Sequence, residues 1–468
     1  MKPTLMKASA AALQRFGLLA VIVLLPFNSV PWFGSWLGEL SGEAWIAGGA
    51  FLLGVVSLEA IVRRRIRLPR TVSWYCLAGW FAWAGLSGLL RVALSDDVVF
   101  KGRTLLEKFV LQLTVAGFVL CVAIACYGAF KSCWRGGEAV LAFLRAAVYA
   151  SLVVPLLFAV LEGVAILLPD SGPADLLGAL SRLVHVKPEY EARLRSVSGE
   201  ASWFGVWLAF ALPWALSSAF QCGRAAWAVL VLLAASTGLT FSRLAWGVTL
   251  LAGGGFLLSQ LWLLRSRVVF IKAIGIGAVV LVLGASAAVA DWERATGVLG
   301  SVTLDAGAPH WISNSSRLGM QVAAVGVAMS HPITGVGLGA VGFRFEPFLP
   351  SWTFGNPELQ EYAADLPGTP WPSVHGLWAR LAAETGLIGL ALFASAWFFV
   401  LRDAWGRAGL AARVGRRDSC LLWLALLWSG VGCVVIGFAF DSLRFGGCWL
   451  VLSASWGAQS GAPDDHAR

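Results

Sequence analysis

The sequence contains few charged residues. Only 13% of its 468 residues are Asp, Glu, Lys or Arg, whereas 58% are hydrophobic. A soluble domain of average composition carries about 25% charged residues. Together with repeated apolar runs of about 20 residues, the low charge excludes an ordinary soluble protein. It indicates a polytopic integral membrane protein that is embedded in the lipid bilayer.

A soluble basic surface is also missing. The net charge of +9 could suggest a nucleic-acid partner, but the basic residues lie in short loops between apolar runs. We therefore expect no nucleic acid to bind, and we interpret the charge as a signal of orientation in the membrane. The 24 Trp residues fit the aromatic belts of a membrane protein.

Cysteine is scarce outside the predicted membrane core. All eight cysteines fall in predicted helices or cytoplasmic loops, so we expect no disulfide framework and no structural metal. The predicted outer loops contain no cluster of carboxylate, His or Cys ligands at metal spacing. The sequence therefore predicts neither a metal nor a cofactor.

The apolar runs predict an all-α fold of about twelve transmembrane helices. The spans are predicted near 16–32, 44–62, 73–94, 107–128, 140–168, 201–220, 225–241, 244–264, 268–290, 385–401, 419–440 and 444–458. The first run resembles a signal peptide, but no small-residue cleavage pattern follows it. We therefore expect an uncleaved first span.

Basic residues concentrate in alternate short loops, which places the N-terminus and those loops in the cytoplasm. Two longer segments then lie outside. Residues 169–200 join spans five and six and contain a predicted interfacial helix at 174–186, and residues 291–384 join spans nine and ten. A long irregular loop of this kind is usually functional. The predicted divisions are 1–168 (helices one to five), 169–200 (outer loop), 201–290 (helices six to nine), 291–384 (large outer loop) and 385–468 (helices ten to twelve and a cytoplasmic tail).

Three arginines of the predicted outer segments are candidate site residues: Arg195, Arg243 and Arg317. Arg243 lies in a very short outer turn, against the charge rule for that face. Arginine recognises phosphate through two parallel hydrogen bonds. Several guanidinium groups at the outer membrane surface would suit a lipid-linked diphosphate. The alternative is that each one snorkels to the interface or pairs with an acid such as Glu200.

His375 follows Pro372 and Ser373, and we expect it in the first turn of a helix. The positive end of the helix dipole disfavours an imidazolium ion there, which leaves a neutral ring able to accept a proton. The alternative is an ordinary interfacial histidine.

Three stretches carry a family pattern: Arg317-Leu-Gly-Met, then His331-Pro-Ile-Thr-Gly335-Val-Gly337-Leu-Gly339, then His375 followed by Glu384-Thr-Gly386-Leu-Ile-Gly389. In order and spacing they resemble the O-antigen ligase and polymerase superfamily. Residues 193–205 and 240–246 are similar to its two upstream segments. This chain has Gly376 where the family often has Asn, and residues 199–202 look closer to polysaccharide polymerases than to lipid A core ligases.

The resemblance implies a metal-independent glycosyltransferase of the bacterial inner membrane with its active site facing the periplasm. Such enzymes move a glycan from undecaprenyl diphosphate onto a hydroxyl group of a glycan, of lipid A core or of a protein. Carried onto this sequence, Arg243 and Arg317 would hold the diphosphate with help from Arg195. His375 would be the general base, with Glu200 as the second catalytic candidate.

Two other functions stay open at this point. A secondary transporter or lipid-linked glycan flippase needs ionisable groups at the bilayer midplane or broken helices in inverted repeats, and the predicted spans contain few charges. A glycosyltransferase with an acidic base in the first outer loop would use Glu39 or Glu43.

Overall fold

The structure of the chain, a computed structural model, describes residues 3–32, 40–95, 98–168, 172–187, 193–221, 224–265, 275, 307, 308 and 310–459. These residues are helical except for loops and one hairpin of two-residue strands, β1 (Val99–Phe100) and β2 (Arg103–Thr104). The prediction of an all-α fold is confirmed for this part of the chain.

Fourteen α-helices form within the described ranges. In chain order they are α1 (Pro3–Leu24), α2 (Trp45–Arg63), α3 (Val72–Leu94), α4 (Leu105–Cys133), α5 (Gly137–Leu167), α6 (Gly172–Val184), α7 (Ala201–Gln221), α8 (Arg224–Leu239), α9 (Arg243–Leu264), α10 (Trp311–Ser330), α11 (Pro357–Ala363), α12 (Leu377–Arg413), α13 (Arg417–Ile436) and α14 (Gly446–Gln459).

Among the helices that the structure describes, eight are long and apolar enough to cross a bilayer: α2, α3, α4, α5, α7, α9, α12 and α13. Shorter apolar helices lie within α1 and α8. The chain is therefore a polytopic helical membrane protein. The predicted span at 268–290 lies outside the described residues, and the total of about twelve spans stays a prediction.

Several predicted boundaries are wrong. Helix α1 ends at Leu24 rather than near 32, because Pro26 cannot donate a backbone hydrogen bond to continue the ladder. Helix α12 begins before the predicted 385 and runs well past 401. The last helix starts at Gly446, which leaves Arg444 in the loop before it.

The large outer segment is more ordered than predicted. Its described part contains α10, α11 and three 3-10 turns at Val341–Phe343, Glu346–Phe348 and Ser351–Thr353. These elements enclose an apolar core of their own, with Met320, Val327 and Phe345 fully buried. A helix is present where one was predicted at 174–186, namely α6, and its place at the membrane interface stays a prediction.

Helix α12 is broken at Gly386, whose backbone is non-helical (φ 67°). The break leaves carbonyl groups without their usual helical donors. The loop after α10 supplies replacements: the Val336 amide donates to the Ala383 carbonyl and the Gly337 amide to the Glu384 carbonyl, both at 2.9 Å. The loop glycines from Gly335 and the helix glycine Gly386 therefore meet in one contact, which we call the joint.

The joint admits no side chain at its centre. A Cβ atom on Gly386 would lie 2.1 Å from the Ile333 carbonyl oxygen, and one on Gly335 would lie 2.4 Å from the Glu384 carbonyl carbon. Both glycines also have positive φ, which L side chains rarely adopt. This joint fixes the large outer segment against the first turns of α12.

Candidate functional site

A cavity of about 960 Å³ lies where the first turns of α4, α7, α9, α10 and α12 meet the loops before α9 and α14. Helix α12 leads away from it for 37 residues, roughly 55 Å of helix at 1.5 Å per residue. The basic turn after Arg413 is therefore at the opposite end of the bundle from the cavity.

The cavity is strongly basic. Within the described chain, eight Lys or Arg residues and four Asp or Glu residues line it: Lys101, Arg103, Lys108, Arg193, Arg243, Arg317, Arg380 and Arg444 against Glu200, Glu358, Glu384 and Asp441. Low-dielectric walls concentrate the field of such a set. The cavity therefore favours an anionic ligand.

Four of the five residues that the sequence singled out line this cavity: Arg243, Arg317, His375 and Glu200. Arg243 is the first residue of α9, and its Nη2 donates to Asn314 Oδ1 on α10 at 2.9 Å. Because Asn314 and Arg317 are three residues apart on one helix, this bond brings the two guanidinium groups to the same face.

The fifth residue, Arg195, does not line the cavity. Its side chain is 3% exposed, and Nη1 donates to the Lys187 carbonyl at 2.9 Å. Its backbone amide donates to the Glu162 carboxylate at 3.1 Å. Arg195 therefore ties the segment before α7 to α5.

Arg193 lines the cavity instead. Its Nε donates to the Thr240 carbonyl at 3.1 Å and its Nη2 to the Phe241 carbonyl at 3.3 Å. These carbonyls belong to the turn that ends just before Arg243. The third arginine of the cavity beside Arg243 and Arg317 is thus Arg193, and not Arg195 as predicted.

His375 lies two residues before α12, not in its first turn as predicted. Gly376 is the N-cap, and the Leu377 amide is held by the Phe440 carbonyl at 2.8 Å. The His375 backbone is left-handed (φ 56°), and Gln321 Nε2 donates to its carbonyl at 2.9 Å. A non-glycine residue in this region stores backbone strain, which is concentrated at functional sites.

Asp441, in the loop before α14, holds the two residues that precede His375. Its Oδ2 accepts from the Val374 amide at 2.8 Å and from Ser373 Oγ at 3.0 Å. Burial raises the pKa of Asp441, but the nearby charges of Arg380 and His375 and these hydrogen bonds outweigh it and leave the pKa below its ordinary value. Asp441 is therefore an ionised anchor for the His375 backbone.

The pKa of His375 is lowered from its ordinary value. Burial is the largest cause, and the positive charge of Arg317 acts in the same direction. The carboxylates of Asp441, Glu358 and Glu200 oppose the shift without reversing it. The ring is therefore neutral near pH 7 and able to accept a proton, as the sequence predicted from a different cause.

The inner wall of the cavity is a closed polar network. Arg380 Nε lies 3.2 Å from both oxygens of Glu384, and its Nη2 donates to Gln112 Oε1 at 2.8 Å. Lys108 Nζ lies 3.7 Å from the centre of the Trp371 ring. These side chains come from α4, α12 and the loop between α11 and α12, so the network fixes three elements around the cavity.

Residues 228–394 match the family model described as O-antigen ligase. Over this segment the chain is similar to the O-antigen ligase superfamily. The match confirms the resemblance and includes Arg243, Arg317 and His375, and the family is one of membrane enzymes of glycosyl transfer. No curated protein matches the chain.

Outside the segment that matches the O-antigen ligase family, Arg444 is a cavity residue that the sequence interpretation missed. Its guanidinium lies 4.5 Å from the centre of the Trp203 ring, and its Nε lies 3.5 Å from Glu43 Oε1. The usable signal was an arginine in a short outer loop, as at Arg243. The misplaced start of the last span hid it.

Glu43, the candidate acidic base of the alternative reading, is buried behind Arg444 and does not line the cavity. Burial raises its pKa to about 8, although Arg444 and the Trp45 indole act against the shift. Glu39 lies outside the described residues. Across the described ranges, no three of His, Cys, Asp and Glu lie close enough together to bind a metal ion.

Proposed function

We propose that the chain transfers a glycan from an undecaprenyl diphosphate carrier to an acceptor hydroxyl at the periplasmic face of the bacterial inner membrane. The observation that carries the proposal is the meeting of Arg243, Arg317 and a neutral His375 in one basic cavity within the family segment. The acceptor is a growing glycan, lipid A core or protein, and residues 199–202 favour the polymerase side of the family.

The arginines suit the leaving group. As the sugar separates from the carrier, negative charge grows on the diphosphate, and fixed guanidinium groups stabilise it most strongly in the transition state. Arg243 is held in place by Asn314, and Arg193 by the turn carbonyls before α9. We therefore assign the diphosphate to Arg243, Arg317 and Arg193, and not to Arg195.

The histidine suits the acceptor. His375 takes the proton from the acceptor hydroxyl as its oxygen forms a bond to the anomeric carbon. The bond from that carbon to the diphosphate oxygen breaks, and its electron pair leaves with undecaprenyl diphosphate. Glu200 also lines the cavity, and Ser202 Oγ donates to its carboxylate at 3.1 Å. After His375, the Glu200 carboxylate is the second candidate for the general base.

The side of the membrane follows from the basic loops. The arginines of residues 63–70 and 413–417 lie at the helix ends opposite the cavity. Because cytoplasmic loops are enriched in Lys and Arg, the cavity would face the periplasm. A transporter or flippase remains the alternative, but the one break in a described spanning helix, at Gly386, is filled by Val336 and Gly337 rather than lining a path.

Deletion of the gene, followed by gel analysis of the surface glycan, tests the function. Loss of a polymerase leaves acceptors capped with a single repeat, and loss of a ligase leaves full-length polymer on its lipid carrier. Re-expression of the chain should restore the ladder with a chelator-insensitive transfer activity in isolated membranes, and a His375→Ala variant should not. An unchanged glycan in the deletion strain would contradict the proposal.

A further inference from the structure

One carboxylate is aimed at the ring of His375 rather than at its backbone. Glu358, on α11, places Oε1 3.8 Å from His375 Nε2. One helical turn later, the Tyr362 hydroxyl donates to the same Oε1 at 2.9 Å. The Tyr362 ring lies nearly parallel to the imidazole, with 6.3 Å between ring centres. Helix α11 thus holds one edge of the imidazole.

The two ring nitrogens are in different surroundings. Nε2 is buried, and at 3.8 Å from the carboxylate it is within ion-pair range but beyond hydrogen-bond range. The His375 side chain as a whole is still 20% exposed. Of the two ring nitrogens, Nε2 alone is a buried atom without a hydrogen-bond partner, so we take Nδ1 as the nitrogen through which a substrate can meet the ring.

We propose that Glu358 is a positioning residue for His375, keeping a proton on Nε2 so that Nδ1 accepts the proton of the acceptor hydroxyl. This inference rests on the proposed function. When the acceptor O–H bond breaks, the proton moves to Nδ1 and the acceptor oxygen bonds to the anomeric carbon. The bond from that carbon to the diphosphate oxygen breaks, and its electron pair leaves with the carrier diphosphate. The resulting imidazolium faces the Glu358 carboxylate, which stabilises it until the Nδ1 proton passes to water.

The other charged groups around the ring have different tasks. Asp441, from the loop before α14, has its Oδ2 committed to Ser373 and Val374. Arg317, from α10, carries the wrong sign to stabilise an imidazolium. Glu200, before α7, accepts from Ser202. Among the groups that shift the pKa of His375, Glu358 is the carboxylate in contact with the ring itself.

The first test is the pH dependence of turnover by the purified chain in phosphatidylethanolamine–phosphatidylglycerol vesicles. The donor is lipid-linked oligosaccharide extracted from the deletion strain. Glu358→Gln should lower kcat roughly 10²-fold with little change in donor KM. It should also move the acidic limb of the profile to lower pH, because a negative charge that raises the pKa of His375 has been removed.

Three further variants make the result specific. Glu346→Gln makes the same charge change at an exposed site of the same outer segment and should behave as wild type. Glu358→Asp should keep the acidic limb in place, since the charge is retained. Tyr362→Phe should reduce kcat several-fold through loss of one hydrogen bond to the carboxylate. A Glu358→Gln profile with an unmoved acidic limb would overturn the inference.

A second measurement needs no turnover. Chemical shifts of ¹³C,¹⁵N-labelled histidine, with the His375 signal assigned by its absence in His375→Ala, report which nitrogen carries the proton. Above the pKa, the wild type should show the Nε2–H form, and an Nδ1–H form would refute the assignment. If His375→Ala remains active, the proposed function fails. If only Glu358→Gln remains fully active, the role of Glu358 fails alone.

Discussion

Neighbouring residues of one short segment serve different ends at this site. Arg193 reaches the carbonyls of the turn before α9 at the cavity wall, whereas Arg195 is buried against the Lys187 carbonyl. In a regular strand, residues two apart would face the same side. The segment is not a regular strand: Arg195 opens a turn that the Ser198 amide closes by donating to the Arg195 carbonyl at 3.1 Å, and Ser196 within that turn has a φ of 53°.

The two arginines should therefore fail differently when replaced. Arg193→Ala should weaken donor binding roughly 10-fold or more, since a charged contact to the diphosphate is lost. Arg195→Ala should leave donor affinity unchanged and lower stability by about 1–3 kcal/mol, because a buried side chain and its hydrogen bond to the Lys187 carbonyl are lost. Donor titration and thermal unfolding of both variants in lipid check this. The reverse pattern would return Arg195 to the diphosphate site.

Arg317 and His375 should separate binding from chemistry. Arg317→Lys should be a poor replacement, because an ammonium group cannot make the paired planar contact of a guanidinium, and the rate should fall roughly 10²–10³-fold. His375→Ala should keep donor affinity while turnover is lost. Donor binding and initial rate are measured for both. Equal loss of donor binding in both variants would place His375 with the diphosphate and move the search for a base to Glu200.

The pH dependence follows from the shifted pKa of His375. The pKa is lowered by burial, so the base stays neutral through pH 7 and becomes protonated only below its ordinary value of about 6.5. The rate should be flat near neutrality and fall as the pH drops through that lowered pKa. A profile of initial rate against pH, with Arg317→Lys for comparison, checks the direction. An acidic limb above about pH 7 would argue against His375 as the base.

The site residues that are charged or titratable in a predicted outer segment could be predicted from the sequence. Those whose roles depend on partners distant in the sequence could not. Arg243, Arg317 and His375 stand out as charged or titratable groups in outer segments. Asp441 and Glu358 gain their roles only because the loop before α14 and helix α11 are brought to His375 by the fold. The apolar pattern of the chain contains no information on that approach.

At the scale of elements, the break in α12 shows how a motif acts. The apolar pattern of 385–401 predicted a plain helix, since hydrophobic periodicity reports burial and not backbone continuity. The spacing of the glycines was recognised, but not that Gly335 and Gly386 meet. Their contact explains the motif physically: the loop after α10 supplies the donors that the broken helix lacks.

Filling the joint should be costly. Gly386→Ala forces a positive φ on alanine, which costs roughly 1–2 kcal/mol, and presses its Cβ against the Ile333 carbonyl. We expect a total loss of about 2–5 kcal/mol and of activity, since overpacking adds a similar amount. Gly409→Ala, on the same helix with no atom near its Cβ, is the matched control and should be neutral or slightly stabilising. Equal melting temperatures for the two variants would show that the joint is not required.

At the scale of the whole molecule, composition gave the class and charge gave a prediction of the orientation, but neither gave the form of the outer segment. Each apolar run predicts a membrane helix independently of the others. Eight of the described helices are long and apolar enough to cross a bilayer. The segment after residue 307 is different, because its turns and short helices depend on a core assembled from distant residues such as Met320, Phe345 and Leu359. That core is what presents α11 to the cavity.

The orientation is the remaining prediction at this scale, and exposed cysteines test it. Ser351, on the outer segment, and Arg413, at the end of α12, are both exposed and lie at opposite ends of the molecule. In a background with the native cysteines replaced, Ser351→Cys should react with a membrane-impermeant maleimide in cells with a permeabilised outer membrane. Arg413→Cys should react only after the inner membrane is opened, because the positive-inside rule places it in the cytoplasm. Labelling after lysis provides the control for both sites. Reaction of Arg413→Cys alone in unlysed cells would place the cavity in the cytoplasm, where a periplasmic transfer could not occur.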